Sequence, residues 1–321
     1  MIVLTGGAGF IGSCFLKKLN DEKIYDILVV DRLGTGLKWK NLVGKKFDRV
    51  EDKTVFRQRL SSGLYKGEIQ AIVHLGACSD TTEQNADYLL DNNLSYSIEL
   101  AEYAIEENIR LIYASSAATY GNGEEGYSDN SYENLKPLNI YGMTKHLFDL
   151  WVINNGLDKV FTGLKFFNVF GPNEYHKGEM SSMIYKAYLQ IKNTGIVRLF
   201  KSQSPDYTDG CQMRDFVYVK DATQIMKDIF FNPEFYGIYN IGTGQARSWN
   251  DLANACFAAL RLENNIEYFD MPNILEAQYQ NFTQANITKL NDSQLNPQFD
   301  SLENNVADYI TNYLTQKWQY L

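Results

Sequence analysis

The segment Thr5-Gly-Gly-Ala-Gly-Phe-Ile-Gly12 constrains the fold more than any other stretch of this 321-residue chain. It follows an apolar, β-prone run, Ile2 to Thr5, and opens a helical pattern from Phe10 to Leu19. Its glycines satisfy two overlapping spacings, GxGxxG at Gly7, Gly9 and Gly12 and GxxGxxG at Gly6, Gly9 and Gly12. Side chains at such a strand-to-helix turn would block the bend and keep the backbone away from a pyrophosphate. The free N–H groups and partial positive charge of the helix N-terminus then suit the phosphates. Asp31 stands nineteen residues beyond Gly12, closing a second apolar run, Asp26-Ile-Leu-Val-Val-Asp31. That order of strand, glycine turn, helix, strand and carboxylate reads as a dinucleotide site and not as an incidental glycine turn. Asp31 suits the adenosine ribose hydroxyls and so favours NAD, whereas Arg32, Lys38 and Lys53 offer cations for a 2′-phosphate. The balance leans to NADP and leaves NAD open.

The alternation continues. Ala71-Ile-Val-His-Leu75 and Leu111-Ile-Tyr-Ala114 read as strands, and Asn92 to Glu107 between them carries Leu94, Ile98, Ala101 and Ile105 at helical spacing. Near-continuous apolar strands alternating with helices predict an α/β fold built on a doubly wound, parallel Rossmann sheet. Val217-Tyr-Val and Ile238-Tyr-Asn-Ile241 are expected to extend that sheet. The stretches 171–214 and 249–321 are richer in polar residues and aromatics and predict a smaller, discontinuous substrate-binding domain. Residues 1–170 and 215–248 then form the dinucleotide domain. Gln203 to Gln212 is turn-rich and reads as a surface loop. The small residues of Leu75-Gly76-Ala77-Cys78-Ser79 fit a backbone lying against the adenine-ribose half of the cofactor. Asn92 either joins them or, with Asn93, caps the following helix.

A second motif carries chemistry. In Tyr141-Gly-Met-Thr-Lys145 the tyrosine and lysine, four apart on a helix, share one face. A free phenol near pKa 10 is a poor base at neutral pH, and a neighbouring ammonium is expected to lower it. Lys145 can also reach the nicotinamide ribose. Ser116, at the end of the strand leading through Ala114-Ser-Ser-Ala-Ala-Thr-Tyr-Gly121, is placed to hold the reacting oxygen.

Composition narrows the partners. A formal net charge of −9 argues against broad nucleic-acid binding, which relies on basic patches. The N-terminal MIVLTGGAGFIGS lacks the pattern of a secretory leader, and no window approaches the roughly 18 apolar residues of a membrane helix. The four cysteines, Cys14, Cys78, Cys211 and Cys256, are scattered without CxxC spacing and read as reduced structural thiols. A cytoplasmic protein is expected. Nothing has metal-ligand spacing. His74 and His146 read as structural, and His176 as a candidate substrate contact.

The glycine-rich turn, the SSA strand end and YxxxK together resemble the extended short-chain dehydrogenase/reductase family. That resemblance implies a Rossmann domain, a small C-terminal substrate domain and a nucleotide-sugar substrate. The family's dehydratases carry an acidic residue directly after the catalytic Ser/Thr; Ala117 here argues against sugar 4,6-dehydration. A longer series is similar, over nearly the whole chain, to the family's ADP-heptose epimerases of lipopolysaccharide inner-core synthesis. It comprises ILVVD (27–31), GACS (76–79), DNN (91–93), ASSAATYG (114–121), PLNIYG (137–142), FFNVFGPNEYHKG (166–178), RDFVYV (214–219), NIGTG (240–244) and QNFTQAN (280–286).

That branch uses a lysine downstream of FNVFGP as a second catalytic base, and Lys177 holds this position. The likeness implies cofactor contacts from Gly6, Gly9, Phe10, Ile11, Gly12, Asn92, Lys145, Val169 and Lys177 besides the residues above. It implies substrate contacts from Ser116, Asn168, Glu179, Lys186, Phe200, Lys201, Ser202, Gln203, Arg214 and Tyr279. A guanidinium fork at Arg214 suits a diphosphate, with a structural ion pair as the alternative. Three positions depart from the branch: Glu179 where serine is common, Lys186 where histidine is, and Leu75 where glutamate is usual. The loop before Arg214 also reads as longer than typical. Relatives are homo-oligomers, pentamers among them. Two other readings remain: a UDP-hexose 4-epimerase, which shares Ser, Tyr and Lys but has no need of Lys177, and a dinucleotide-sensing module without chemistry.

Overall fold

The computed structural model describes residues 1–272, 279–295 and 297–321. Strands β1 (Ile2–Thr5), β2 (Ile27–Val30), β3 (Arg49–Glu51), β4 (Ala71–His74), β5 (Arg110–Ser116) and β6 (Thr162–Phe166) run parallel in the spatial order β3-β2-β1-β4-β5-β6. Three short strands follow outside that sheet: β7 (Asn168–Phe170), β8 (Val197–Phe200) and β9 (Met213–Tyr218). β10 (Gly237–Ile241) returns as the seventh strand, parallel to β6. β11 (Ala246–Ser248) pairs antiparallel with β9, and β12 (Ile266–Phe269) pairs parallel with β8.

The strand pattern explains why the sheet is buried on both faces. Alternate residues point to opposite sides. Leu4, Val29, Val73, Ile112 and Leu164 therefore pack on one face, against Phe15 and Leu19 of helix α1 (Phe10–Asp21). Val3, Leu28, Ile72 and Leu111 pack on the other, against Phe56 of α2 (Lys53–Ser61). Beyond α3 (Ala86–Leu89), a π-helical turn over Leu90–Ser95 leads into α4 (Tyr96–Glu106), which with α5 (Ile140–Asn154) completes that second face. A third apolar cluster joins α6 (Met183–Thr194), β8 and, beyond α7 (Val219–Phe231), α8 (Trp249–Leu260) with the helix Leu302–Tyr309. α7 itself turns Ile225 and Ile229 onto the first face beside α1.

Two expectations need correction. Val217-Tyr-Val does not extend the main sheet. The chain leaves β6 at Phe167, and Asn168, Val169 and Phe170 pair with Phe216, Val217 and Tyr218, drawing β9 into a separate three-stranded sheet. β10 takes the edge of β6 instead. Nor do Asn92 and Asn93 cap a helix: the helical run begins earlier, at Ala86, where Asn85 accepts from the Tyr88 N–H at 3.0 Å.

Candidate active site

In a doubly wound sheet, ligands sit beyond the carboxyl ends of the strands where the strand order reverses. Here that point lies between β1 and β4, and the loops leaving them, Gly6 and Gly76, meet backbone to backbone. A Cβ at Gly6, which has φ +66°, would stand 2.7 Å from the Gly76 nitrogen, and one at Gly12 only 2.1 Å from the Gly6 carbonyl oxygen. Those two glycines permit the turn. Gly9 serves the other purpose: its absent Cβ would meet only Gly6's own carbonyl, at 3.0 Å, so its backbone faces the cleft. No side chain caps α1, which leaves its N-terminal end available to a phosphate. The residues present fit a bound dinucleotide.

Asp31 is buried at the end of β2. One carboxylate oxygen accepts from the Ala8 N–H at 2.9 Å and the other binds the Lys38 ammonium. Beside it opens a side chamber of about 590 Å³ lined by Arg32, Lys38, Lys53, Cys78 and Asn92. Lys53 donates to Asn92 Oδ1 at 2.5 Å, and burial pulls its ammonium below the usual range. Asn92 is thus a wall of this chamber. Asn93, which sequence reading treated as a cap, grips the loop after β4: it accepts from Cys78 N–H at 2.8 Å and donates to the Cys78 carbonyl at 3.0 Å. Its amide also reaches Thr144 on α5, at 3.2 Å. A signal existed in the DNN run, but only the fold shows which asparagine does what.

The main cleft, about 810 Å³, is lined by Gly6, Gly9, Phe10, Ile11, Gly12, Asp31, Lys38, Leu75, Gly76, Ala77 and Ser79 at the dinucleotide end. Ser116, Tyr141, Lys145, Asn168, Val169 and Lys177 follow at its centre. Two local features bring Ser116 and Tyr141 together. Asn139 caps α5 by accepting from Gly142 N–H at 2.8 Å, and Gly142 packs on the turn after β5, where a Cβ would lie 2.7 Å from the Ala118 oxygen. The expected lowering of the Tyr141 phenol by Lys145 is not what this geometry produces. Burial pushes the phenol up, opposed by a hydrogen bond with Ser116, while Lys145 donates to the Ala114 carbonyl at 2.7 Å. Burial pulls the Lys145 ammonium down to about 8.

Lys177 enters from another direction, on the short helix Tyr175–Met180. Its ammonium lies 5.7 Å from the centre of the Phe10 ring, and burial pulls it below the ordinary lysine value, with Glu174 opposing. Glu174 staples the base of this loop, accepting from Gly171 N–H at 3.2 Å and Ser182 Oγ–H at 2.7 Å.

At the far end, Glu179, Lys186, Phe200 and Tyr279 line the cleft, joined by Gln190, Arg198, Trp249 and Phe269, which sequence reading did not single out. Glu179 and Lys186, two of the departures from the branch, pair with each other at 3.4 Å. Lys201, Ser202 and Gln203 are not among the lining residues: Lys201 pairs with Asp270 at 3.0 Å and Ser202 N–H donates to Asp209 at 2.8 Å. Arg214 lies behind the wall, its guanidinium 5.4 Å and 5.2 Å from the Trp249 and Tyr279 ring centres. It donates to the backbone carbonyls of Met213 and Gln280, and it makes no ion pair among the described residues. His74 is buried between Thr5 and Ser97, its ring nitrogens 2.6 and 2.9 Å from their hydroxyls. All four cysteines are free thiols. No helix among the described residues is long and apolar enough to cross a membrane.

A dinucleotide cradle that ends at a Ser, Tyr and Lys set defines an enzyme that oxidises and reduces a carbon–oxygen bond with a nicotinamide. The cleft continues past that set to Glu179, Lys186, Phe200 and Tyr279. The model of the NAD dependent epimerase/dehydratase family matches residues 2–242, and the chain belongs to that family. It is 50% identical over 316 residues, 98% of both chains, to the ADP-L-glycero-D-manno-heptose-6-epimerase of Nitratidesulfovibrio vulgaris strain DP4. The protein of that name from Fusobacterium nucleatum is 46% identical over 332 aligned positions, 100% of each chain. Among solved structures, the ADP-L-glycero-D-manno-heptose-6-epimerase of Helicobacter pylori superposes with a TM-score of 0.82 at 31% identity, covering 97% of this chain and 95% of that one.

Proposed function

We propose that this chain inverts C6″ of ADP-D-glycero-β-D-manno-heptose, giving ADP-L-glycero-β-D-manno-heptose for the lipopolysaccharide inner core. The observation that carries this reading is the entry of two proton-transfer groups, Tyr141 and Lys177, into one cleft from separate elements. Inverting a carbon that bears an unactivated hydroxyl requires its hydride to leave and return on the opposite face, through a 6″-ketone that turns over between the two steps. A bound nicotinamide dinucleotide supplies the hydride acceptor and donor. Tyr141 and Lys177 each take or give the hydroxyl proton in one of the two substrate orientations, and Ser116 holds the reacting oxygen. Lys145 anchors the nicotinamide ribose, and the hydrogen bond with Ser116 opposes the burial that raises the phenol. Lys177, drawn down by its own burial, sits closer to the neutral range than a surface lysine.

NADP is the favoured cofactor. The Asp31 carboxylate is already neutralised by Lys38, and Arg32 and Lys53 add positive charge around the adjoining chamber, where a 2′-phosphate would sit. Arg214, packed behind the Trp249 and Tyr279 rings, braces that wall of the cleft, and the segments 171–214 and 249–321 serve as the substrate lobe. A homo-oligomeric assembly and a reaction in the cytoplasm complete this reading.

The test is turnover of the ADP-D-glycero heptose without added reductant, followed by NMR at C6″. Appearance of the L-glycero epimer in the wild type, with a loss of 100-fold or more in Lys177→Met, supports the reading. Full activity of Lys177→Met, or conversion of a UDP-hexose at C4 instead, overturns it.

A further inference from the structure

We infer that Asn41 is a positioning residue that ties the dinucleotide cradle to Lys177. Asn41 lies in the short helix Lys38–Leu42, between β2 and β3, and is 1% exposed. Its amide nitrogen lies 3.0 Å from the Ala8 carbonyl, within the glycine-rich turn, and 3.0 Å from the Asn173 carbonyl, four residues before Lys177. The Gly9 carbonyl, at 3.5 Å, and His176 Nδ1, at 3.3 Å, surround the same nitrogen. The side chain spans the gap between the glycine-rich turn, 33 residues before it in sequence, and the Asn173 loop, 132 residues after it.

Asn173 reinforces the junction from the other side. It is fully buried with φ +78°, a left-handed conformation that asparagine tolerates better than most residues. Its amide donates to Ser13 on the first turn of α1 at 2.9 Å, and its oxygen accepts from the Leu321 N–H at 2.9 Å. The segment before Lys177 is thus fastened to the turn and helix that would carry the pyrophosphate, and Phe10 of that same turn lies under the Lys177 ammonium. Lys38, three residues before Asn41 on the same short helix, holds Asp31. One short helix therefore touches the ribose-binding carboxylate, the phosphate turn and the loop of the second base.

The consequence is geometric. Catalytic groups displaced by as little as 1 Å lose activity by about 100-fold. With Asn41 in place, the position of Lys177 is referred to the cradle and not merely to its own loop, whose base is closed independently by Glu174. Because the inference rests on Lys177 acting as a base, the experiment measures both residues.

Asn41→Ala removes the donors, and Asn41→Asp places a carboxylate against two carbonyl oxygens. Both are purified with their bound dinucleotide, which is released and quantified per chain, and thermal melts establish that they are folded. We expect kcat for ADP-heptose epimerisation to fall at least tenfold in both, with KM and dinucleotide content within twofold of wild type. In Lys177→Met, whose residual turnover is read over long incubations, adding Asn41→Ala should slow the reaction by less than twofold. Unchanged kcat in both Asn41 variants overturns the inference. So does a rise in KM or a loss of dinucleotide matching the loss in kcat, since Asn41 would then serve the cradle alone. A tenfold loss repeated in the Lys177→Met background also overturns it. Near wild-type turnover of Lys177→Met is the distinct result that would bring down the role of Lys177 itself.

Discussion

Lys165→Met should destabilise this protein far more than the loss of a lysine usually does. Lys165 and Asp149 are both fully buried, with Nζ 2.8 Å from the carboxylate. Asp149 also accepts from Ser115 at 2.6 Å and Tyr113 at 3.1 Å. Lys165 donates to Thr119 at 2.7 Å and lies 4.9 Å from the centre of the Tyr120 ring. Methionine keeps much of the volume but leaves the carboxylate with two neutral hydroxyls and no ion-pair partner among the described residues, away from water. Breaking a buried pair by removing one partner costs about 3–5 kcal/mol. With an unfolding entropy near 2.1 cal/mol/K per residue, a chain of this length shifts about 1.5 °C per kcal/mol, so Tm should drop by about 4–7 °C. Circular-dichroism melts of Lys165→Met, Asp149→Leu and the double variant would measure this. The double variant should lose much less than the two single losses combined, because neither charge is then stranded. Additive losses, or single losses below about 1 kcal/mol, would refute the reasoning. Activity should fall as well, since Asp149 lies one turn beyond Lys145 on α5 and Ser115 adjoins Ser116.

Two further outcomes follow from the site. Arg32→Ala and Lys53→Ala should each weaken NADP binding relative to NAD by about tenfold, the worth of one charge-assisted contact. Isothermal titration of the stripped protein checks this, and equal losses for both dinucleotides would mean that these cations do not read the 2′-phosphate. Burial holds His74 down to about 3 and His176 down to about 4, from 6.5. Both are uncharged when folded and take up protons more readily when unfolded. Their contribution to stability is whole above about pH 6.5 and is lost progressively as pH falls toward the folded values, at up to about 1.4 kcal/mol per pH unit for each. His176→Gln should flatten the fall of Tm between pH 6.5 and 4; an unchanged slope would rule this histidine out as a contributor.

The parts legible in the sequence were those whose chemistry depends on local spacing. The glycine turn, Asp31, Ser116 and the Tyr141–Lys145 pair are each set by a few consecutive residues, and the fold brings all of them to one cleft. The parallel sheet was legible because strands buried on both faces must be apolar throughout. What depends on distant pairing was not. Nothing around Val217 announces that Asn168–Phe170 will divert it from the main sheet. Asn41 belongs to no motif, and its role exists only because Asn173 returns beside Gly9. The phenol of Tyr141 was misjudged for the same reason: sequence spacing places a lysine nearby but cannot show that its ammonium is turned to the Ala114 carbonyl.

The contact between Gly6 and Gly76 has a consequence for how this cleft can change. Where those two loops meet, the floor is main chain, packed too closely for any side chain to be added on Gly6. Peptide groups cannot be exchanged by mutation, so this floor offers a descendant enzyme nothing to vary. New preferences for sugar or nucleotide have to be written on the walls, where the Lys177 loop, α6 and the aromatic cluster of Phe200, Trp249, Phe269 and Tyr279 present replaceable groups. A library that randomises those walls and leaves the floor alone searches the part of sequence space in which this architecture can acquire a different substrate.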